Sequence, residues 1–300
     1  TMLDVGNPRP PIAAPAESFL GLKRTLPDPA EYFLGADYSG MTLPTPGAKE
    51  YYGVPPSKDY IFEKAPQYRY VHDGFATLSS FAAGGLAETW TSGSYAFDDT
   101  DLDAFPFRFA DVQPYYGEIA ARIGIGGEDD DIGFPSHNNL HTPTTLDESA
   151  ARLMRSYDRK RARLNSKYGV TLGRSRQAVL TAARGEREAC RACGRCIWGC
   201  PNGAFYTPSL TLAECRSYSA FDYRPGFFVS HFSAESGGAL SAAVAYPVSG
   251  GAAETFSADA YVLAAGALGS SNIVLRTHYK TTGEIRSEEH TSELQSQNAI

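Results

Sequence analysis

Residues 261–276 read Tyr-Val-Leu-Ala-Ala-Gly-Ala-Leu-Gly-Ser-Ser-Asn-Ile-Val-Leu-Arg. The apolar run 261–265 is closed by Gly266 and has the length of a strand, and Ser270-Ser271 stands where a cap would precede the helical-looking residues 272–276. Strand, glycine turn, serine cap and helix predict an α/β joint able to cradle a phosphate or a flavin. A ligand-free strand–helix joint reads the same way.

Outward from this joint, residues 226–232 and 240–248 alternate as two strands about a Gly237-Gly238 turn. At the other end, residues 1–6 (Thr-Met-Leu-Asp-Val-Gly) resemble the end of a buried strand. In a Rossmann unit an acid at such a strand end lies about 20 residues past the glycine fingerprint and binds a dinucleotide ribose. No G-x-G-x-x-G occurs in the chain, so an ordinary strand end is the competing reading.

Four of the five cysteines fall in residues 190–201, Cys-Arg-Ala-Cys-Gly-Arg-Cys-Ile-Trp-Gly-Cys-Pro. C-x2-C-x2-C-x3-C-P is the bacterial ferredoxin spacing, which makes Cys190, Cys193, Cys196 and Cys200 candidate ligands of an iron–sulfur cluster. The fourth cysteine of that run serves a second cluster where two are present, so Cys215 competes with Cys200 for the last position. Zinc prefers two separated C-x2-C pairs, and free or disulfide-bonded thiols in a Gly-rich loop are the plain alternative.

The remaining segments are less specific. Residues 7–56 carry many prolines and glycines and predict a long irregular excursion, while Gly84-Gly85 and residues 90–93 punctuate a small-residue stretch. A helix is expected over 111–124 with Pro114 in its first turn, followed by a solvated acidic loop at 128–131. His137 and His141 have the spacing of a helical metal pair, but the surrounding prolines and asparagines predict a loop. A single helix is expected over 145–169, with Thr145 and Glu148 as its capping box and Leu153, Tyr157, Leu164 and Tyr168 on one face.

A hydrophobic share of 42% in 300 residues can fill the cores of one large or two ordinary domains. No apolar run of membrane length and no leader pattern is visible, so no membrane span is expected and the compartment, cytoplasmic or exported, stays open. Residues 286–300 share no periodicity with the rest and look like a translated sequencing adapter, outside the fold. The net charge of −7 becomes −5 without them, which offers no general field for nucleic acid.

Together these segments resemble the glucose-methanol-choline (GMC) oxidoreductases, FAD enzymes that oxidise alcohols and sugars. Residues 266–275 are similar to the family's second signature, departing from it at His278-Tyr279, and Leu3-Asp4-Val5-Gly6 is similar to its ribose-binding strand end. The cysteine run is similar to one found in a branch containing sugar dehydrogenases and long-chain alcohol oxidases, some of whose dehydrogenases hold an iron–sulfur cluster. The resemblance implies Asp4 at the FAD ribose and Val229 at the adenine. It also implies Gly84, Gly85 and Trp90 along the pyrophosphate and isoalloxazine, with Ala265 and Gly266 at the helix turn.

The fold so implied is α/β, a Rossmann-like FAD-binding domain in discontinuous and incomplete segments, with a substrate domain mostly missing. Residues 1–125 and 217–285 would form the FAD domain, 126–184 a helical insertion or substrate-side segment and 185–216 the cysteine loop. The family's glycine fingerprint would lie before residue 1 and its catalytic histidine beyond residue 285, so no catalytic residue is assigned. The expected partners are an alcohol or sugar substrate and an external electron acceptor. A ferredoxin-like module without substrate chemistry of its own is the alternative.

Overall fold

The computed structural model describes residues 1–10, 17–35, 38, 55–69, 78–132, 139–235 and 238–285. The sequencing-adapter-like tail, His137 and Gly237 lie outside them. Helices and small sheets are mixed, and the chain divides into two compact units. One comprises Thr1–Pro11, Ala30–Thr89 and Thr207–Ile300, the other Ile12–Pro29 and Trp90–Tyr206. The cysteine run therefore shares its unit with residues 90–189, while the segments at the two ends of the chain share the other.

In the first unit, β1 (Met2–Asp4) pairs in parallel with β2 (Tyr223–Pro225), Asp4 lying opposite Pro225. The expected hairpin is present as β3 (Phe227–Ala234) and β4 (Leu240–Pro247), extended by a short antiparallel β5 (Glu254–Phe256). The ladder shifts register between Val229 and His231, an irregularity of the kind that re-aims side chains. Phe232, Ala243 and Ile273 form one buried cluster against which Leu3, Val229, Tyr261 and Leu263 pack. A second, of Val5, Ala65 and Phe228, lies under Phe81.

The joint at 261–276 departs from expectation. Residues 261–265 join no ladder, and Val262 is 93% exposed: among the described residues no strand lies beside this run to accept its backbone bonds. The helix opens at Gly266 rather than Asn272. Ser270 and Ser271 lie inside it, and Ala265, the true N-cap, makes no side-chain cap bond. This helix, α7 in chain order (Gly266–Thr282), is fastened to β3 by Thr277, whose hydroxyl accepts from Phe232 N at 2.8 Å.

Residues 7–56 are not wholly irregular. They contain α1 (Phe19–Thr25), capped by Ser18, and α2 (Pro29–Leu34). In the second unit α3 (Phe109–Ile119) starts two residues early, which places Pro114 beyond the first turn, and it runs into a π turn at Ala120–Gly124. The single helix expected over 145–169 is two: α4 (Glu148–Asp158), capped by Asp147 instead of Thr145, and α5 (Arg161–Tyr168), ended by left-handed Gly169. The four-residue stripe is broken with it, since Tyr157 is buried at 5% exposure while Leu153 and Tyr168 are exposed.

Nor is the acidic run 128–131 only a solvated loop. Glu128 and Asp129 are exposed, but Asp130 accepts from Arg174 N and pairs with buried Arg176, and Asp131 accepts from Tyr157, Arg161 and Asn165. The helix following the cysteines, α6 (Pro208–Cys215), opens on Pro208 at its first position. Among the described residues no helix is long and apolar enough to cross a membrane.

Candidate functional site

The cysteine run sits on a neck held by backbone pairing. Leu180 N donates to Ala204 O at 3.0 Å, Tyr206 N to Ala178 O at 2.9 Å, Cys190 N to Leu180 O at 2.8 Å and Glu188 N to Asn202 O at 2.9 Å. Above the neck the chain curls through left-handed positions at Ala192, Gly194 and Gly199. Glycine adopts them freely; Ala192, at φ +52°, does so at a cost of roughly 1–2 kcal/mol. In that conformation Ala192 N donates to Cys190 Sγ at 3.4 Å.

All four thiols of the run line one pocket of about 40 Å³, whose apolar floor is Val179, Ala204 and Phe205. Phe205 N donates to Cys200 Sγ at 3.5 Å, and the Arg187 guanidinium is close enough to Cys200 to feel its charge. The Cys196 residue is open to solvent, yet its thiol faces into the pocket. Burial pushes that thiol up, and Cys200, Cys190 and Cys193 push it further. One wall is fixed by α1, where Phe19 N donates to Cys193 O at 2.8 Å and the Phe19 ring meets Trp198 at 5.2 Å.

All five cysteines are free thiols. Among the described residues no group of three or more His, Cys, Asp or Glu is arranged to hold a single metal ion, the geometry that structural zinc requires. In a four-iron cluster each iron takes one thiolate, so the donors stand around a core instead of meeting at one point. Four cysteines line one cavity, and the sulfurs of Cys190 and Cys200 each receive a backbone N–H. Cys215, the rival fourth ligand, ends α6 in the other unit.

The positions expected to meet FAD are distributed differently. Asp4 closes β1, and its carboxylate accepts from Tyr223 Oη at 3.0 Å and from the backbone N–H groups of Val5 and Gly6. Burial raises its pKa above the ordinary carboxylate value, against the lowering effect of those three bonds. Leu3 and Val229 pack on one cluster with Leu263, which precedes Ala265 and Gly266 by two and three residues. Of the four positions, Val229 itself packs on this core, while Ala265 and Gly266 are exposed. Gly266 (φ +74°) opens α7 with no acid in its first turn, and its end is exposed.

Gly84 and Gly85 join the same unit through Asn7, whose N–H donates to Phe81 O and whose carbonyl accepts from Ala83 N. A Cβ on Gly84 would sit 2.5 Å from Glu88 Oε1, so the bareness of this glycine makes room for Glu88; Gly85 faces open space. Trp90 belongs to the other unit, where its indole donates to Tyr206 O at 2.8 Å and its ring packs beside Val179 and Phe205. Its N–H is thereby committed within the protein.

Sequence reasoning missed a buried polar centre in the first unit. Glu88, 1% exposed, accepts from Ser209 N at 2.8 Å at the start of α6, and from Tyr60 Oη and Ser209 Oγ at 3.3 Å. Lys58, 3% exposed, donates to the Glu88 carbonyl, and Arg9 stands 3.9 Å from the carboxylate. Burial, with Arg9 adding to it and Glu88 opposing, lowers Lys58 to about 8. These residues come from four separate segments, so no local pattern announced them. No family model matches the chain, and no curated protein matches it.

Proposed function

We propose that the protein is part of an FAD-dependent oxidoreductase that oxidises an alcohol or sugar CH–OH group, with electrons leaving through an iron–sulfur cluster in the cysteine pocket to an external acceptor. The observation that carries the redox reading is the placement of Cys190, Cys193, Cys196 and Cys200 around one pocket. When bound, the flavin supplies the hydride-accepting ring and the cluster a one-electron relay. The chain's own residues hold and orient. The sulfurs of Cys190 and Cys200 accept from Ala192 N and Phe205 N, which holds both in place.

On the flavin side, the support is that Leu3, Val229 and Leu263, neighbours in sequence of Asp4, Ala265 and Gly266, pack on one buried cluster within a single unit. Asp4 offers a hydroxyl acceptor suited to a ribose, and the exposed start of α7 offers unpaired N–H groups to an anionic segment. No residue of the chain is assigned as the base that takes the substrate proton.

One observation favours a second reading, an electron-transfer module without substrate chemistry: the whole pocket is built within a single unit. Anaerobic purification followed by assay for FAD, iron and acid-labile sulfide separates the two. Flavin with equal iron and sulfide is expected. Iron and sulfide without flavin would favour the module, and zinc or bare thiols would remove the cluster from both readings.

A further inference from the structure

Resting on the flavin reading, we infer that Tyr223 is a positioning residue: its hydroxyl fixes the Asp4 carboxylate so that the acceptor position left open faces the vicinal hydroxyls of an adenosine ribose. In the parallel β1–β2 pair Met2 lies opposite Tyr223 and Asp4 opposite Pro225, so the Tyr223 and Asp4 side chains stand on the same face, one step apart along the strands. The phenol leans along β2 and donates to Asp4 Oδ2 at 3.0 Å. A carboxylate has about four acceptor sites. Tyr223 Oη and the Val5 and Gly6 N–H groups take three, which leaves one for a hydroxyl donor.

The turn beneath is shaped around the same phenol. Gly6 is left-handed at φ +64°, and a Cβ there would meet Tyr223 Oη at 2.5 Å and Pro225 Cβ at 2.9 Å. No larger residue would let the ring reach Asp4. On the far side the Arg216 guanidinium lies 5.8 Å from the Tyr223 ring centre and steadies it. Tyr223 thus donates to Asp4 from a packed bed that holds it there.

The titratable groups around this pair are few. Asp4 and Arg216 face Tyr223, and on the packed β3 and α7 His231 faces Lys280 and Arg276, not Asp4. Because the Tyr223 bond lowers the Asp4 pKa, its removal moves the acid limb of ligand binding to higher pH.

The test uses the full chain and its Tyr223→Phe variant, titrated with FAD and with FMN by flavin fluorescence from pH 5 to 9, with urea midpoints as the folding control. FMN lacks the adenosine and reports on anything that Tyr223→Phe does elsewhere. The expected result is FAD binding weakened about fivefold, one hydrogen bond's worth, with an acid limb shifted upward and FMN binding unchanged. Equal FAD affinity and pH profile in the two proteins would overturn the role of Tyr223 and leave the flavin reading standing. Equal weakening for FAD and FMN would also overturn it, as a purely structural effect. A wild-type chain that binds FMN as tightly as FAD would overturn the ribose role of Asp4, and this inference with it.

Discussion

Lys58 shows what a single buried charge does to this protein. Its amine, held to about 8 by burial and by Arg9, titrates below the ordinary lysine value of 10.5. Below pH 8 both folded and unfolded chains carry the proton, and the full desolvation penalty is in force. Between about pH 8 and 10.5 the unfolded chain binds more protons, so stability contributed at this site rises with pH, by roughly 2–3 kcal/mol across the window. Lys58→Met should abolish that rise, because no group at this site then titrates in the window. Urea denaturation of both proteins at pH 7.5 and 9.5 measures the difference, and a rise in the variant as steep as in the wild type would discount Lys58 as the source. The same centre explains what a sequence can hide. The cysteine run was legible because its four thiols are neighbours along the chain, whereas Glu88 draws Arg9, Lys58, Tyr60 and Ser209 from distant segments with no shared period.

At the scale of elements, α4 and α5 are separated because Asp131 holds both. It accepts from Tyr157 Oη on α4 at 2.5 Å and from Asn165 Nδ2 on α5 at 3.1 Å, and it pairs with Arg161 at the start of α5. Those partners, Arg161 first, hold the Asp131 carboxyl well below the usual carboxylate range. A depressed carboxylate contributes stability that is present above about pH 4 and lost as pH falls through its folded value. Asp131→Ala should therefore loosen the pair at neutral pH, exposing Arg161, Arg163 and Lys167 to trypsin several-fold faster while leaving cleavage outside this unit unchanged. Unaltered cleavage at these three sites would mean that the helices are held by something else. The stripe Leu153, Tyr157, Leu164 and Tyr168 could not reveal this break, since periodicity records local spacing and not a carboxylate 26 residues upstream of Tyr157. The β3–β4 hairpin was legible for the converse reason: alternation and turn lie side by side in the chain. Residues 261–265 have strand composition but, among the described residues, no strand beside them, and composition alone cannot supply one.

At the scale of the whole chain, two units with interleaved segments confine the consequences of metallation. Thiols must lose their protons to bind a metal, so binding is linked both to pH and to the folding of the unit that carries them. The Cys196 thiol, raised by burial and by its three neighbours, costs more to deprotonate than an ordinary thiol. Cluster incorporation should therefore rise with pH. It should stabilise the unit of Ile12–Pro29 and Trp90–Tyr206, by about 2.7 kcal/mol at a hundredfold excess over the dissociation constant. Because the neck at Leu180 and Ala204 closes the loop, added protection should reach its amides and those around Cys190. The β3–β4 amides, in the other unit, should exchange as before. Hydrogen exchange before and after anaerobic iron and sulfide reconstitution reads both segments together. The Cys193→Ser variant, lacking one of the four donors, should show no gain at the neck. An equal gain in that variant would sever the stabilisation from the four-thiol pocket.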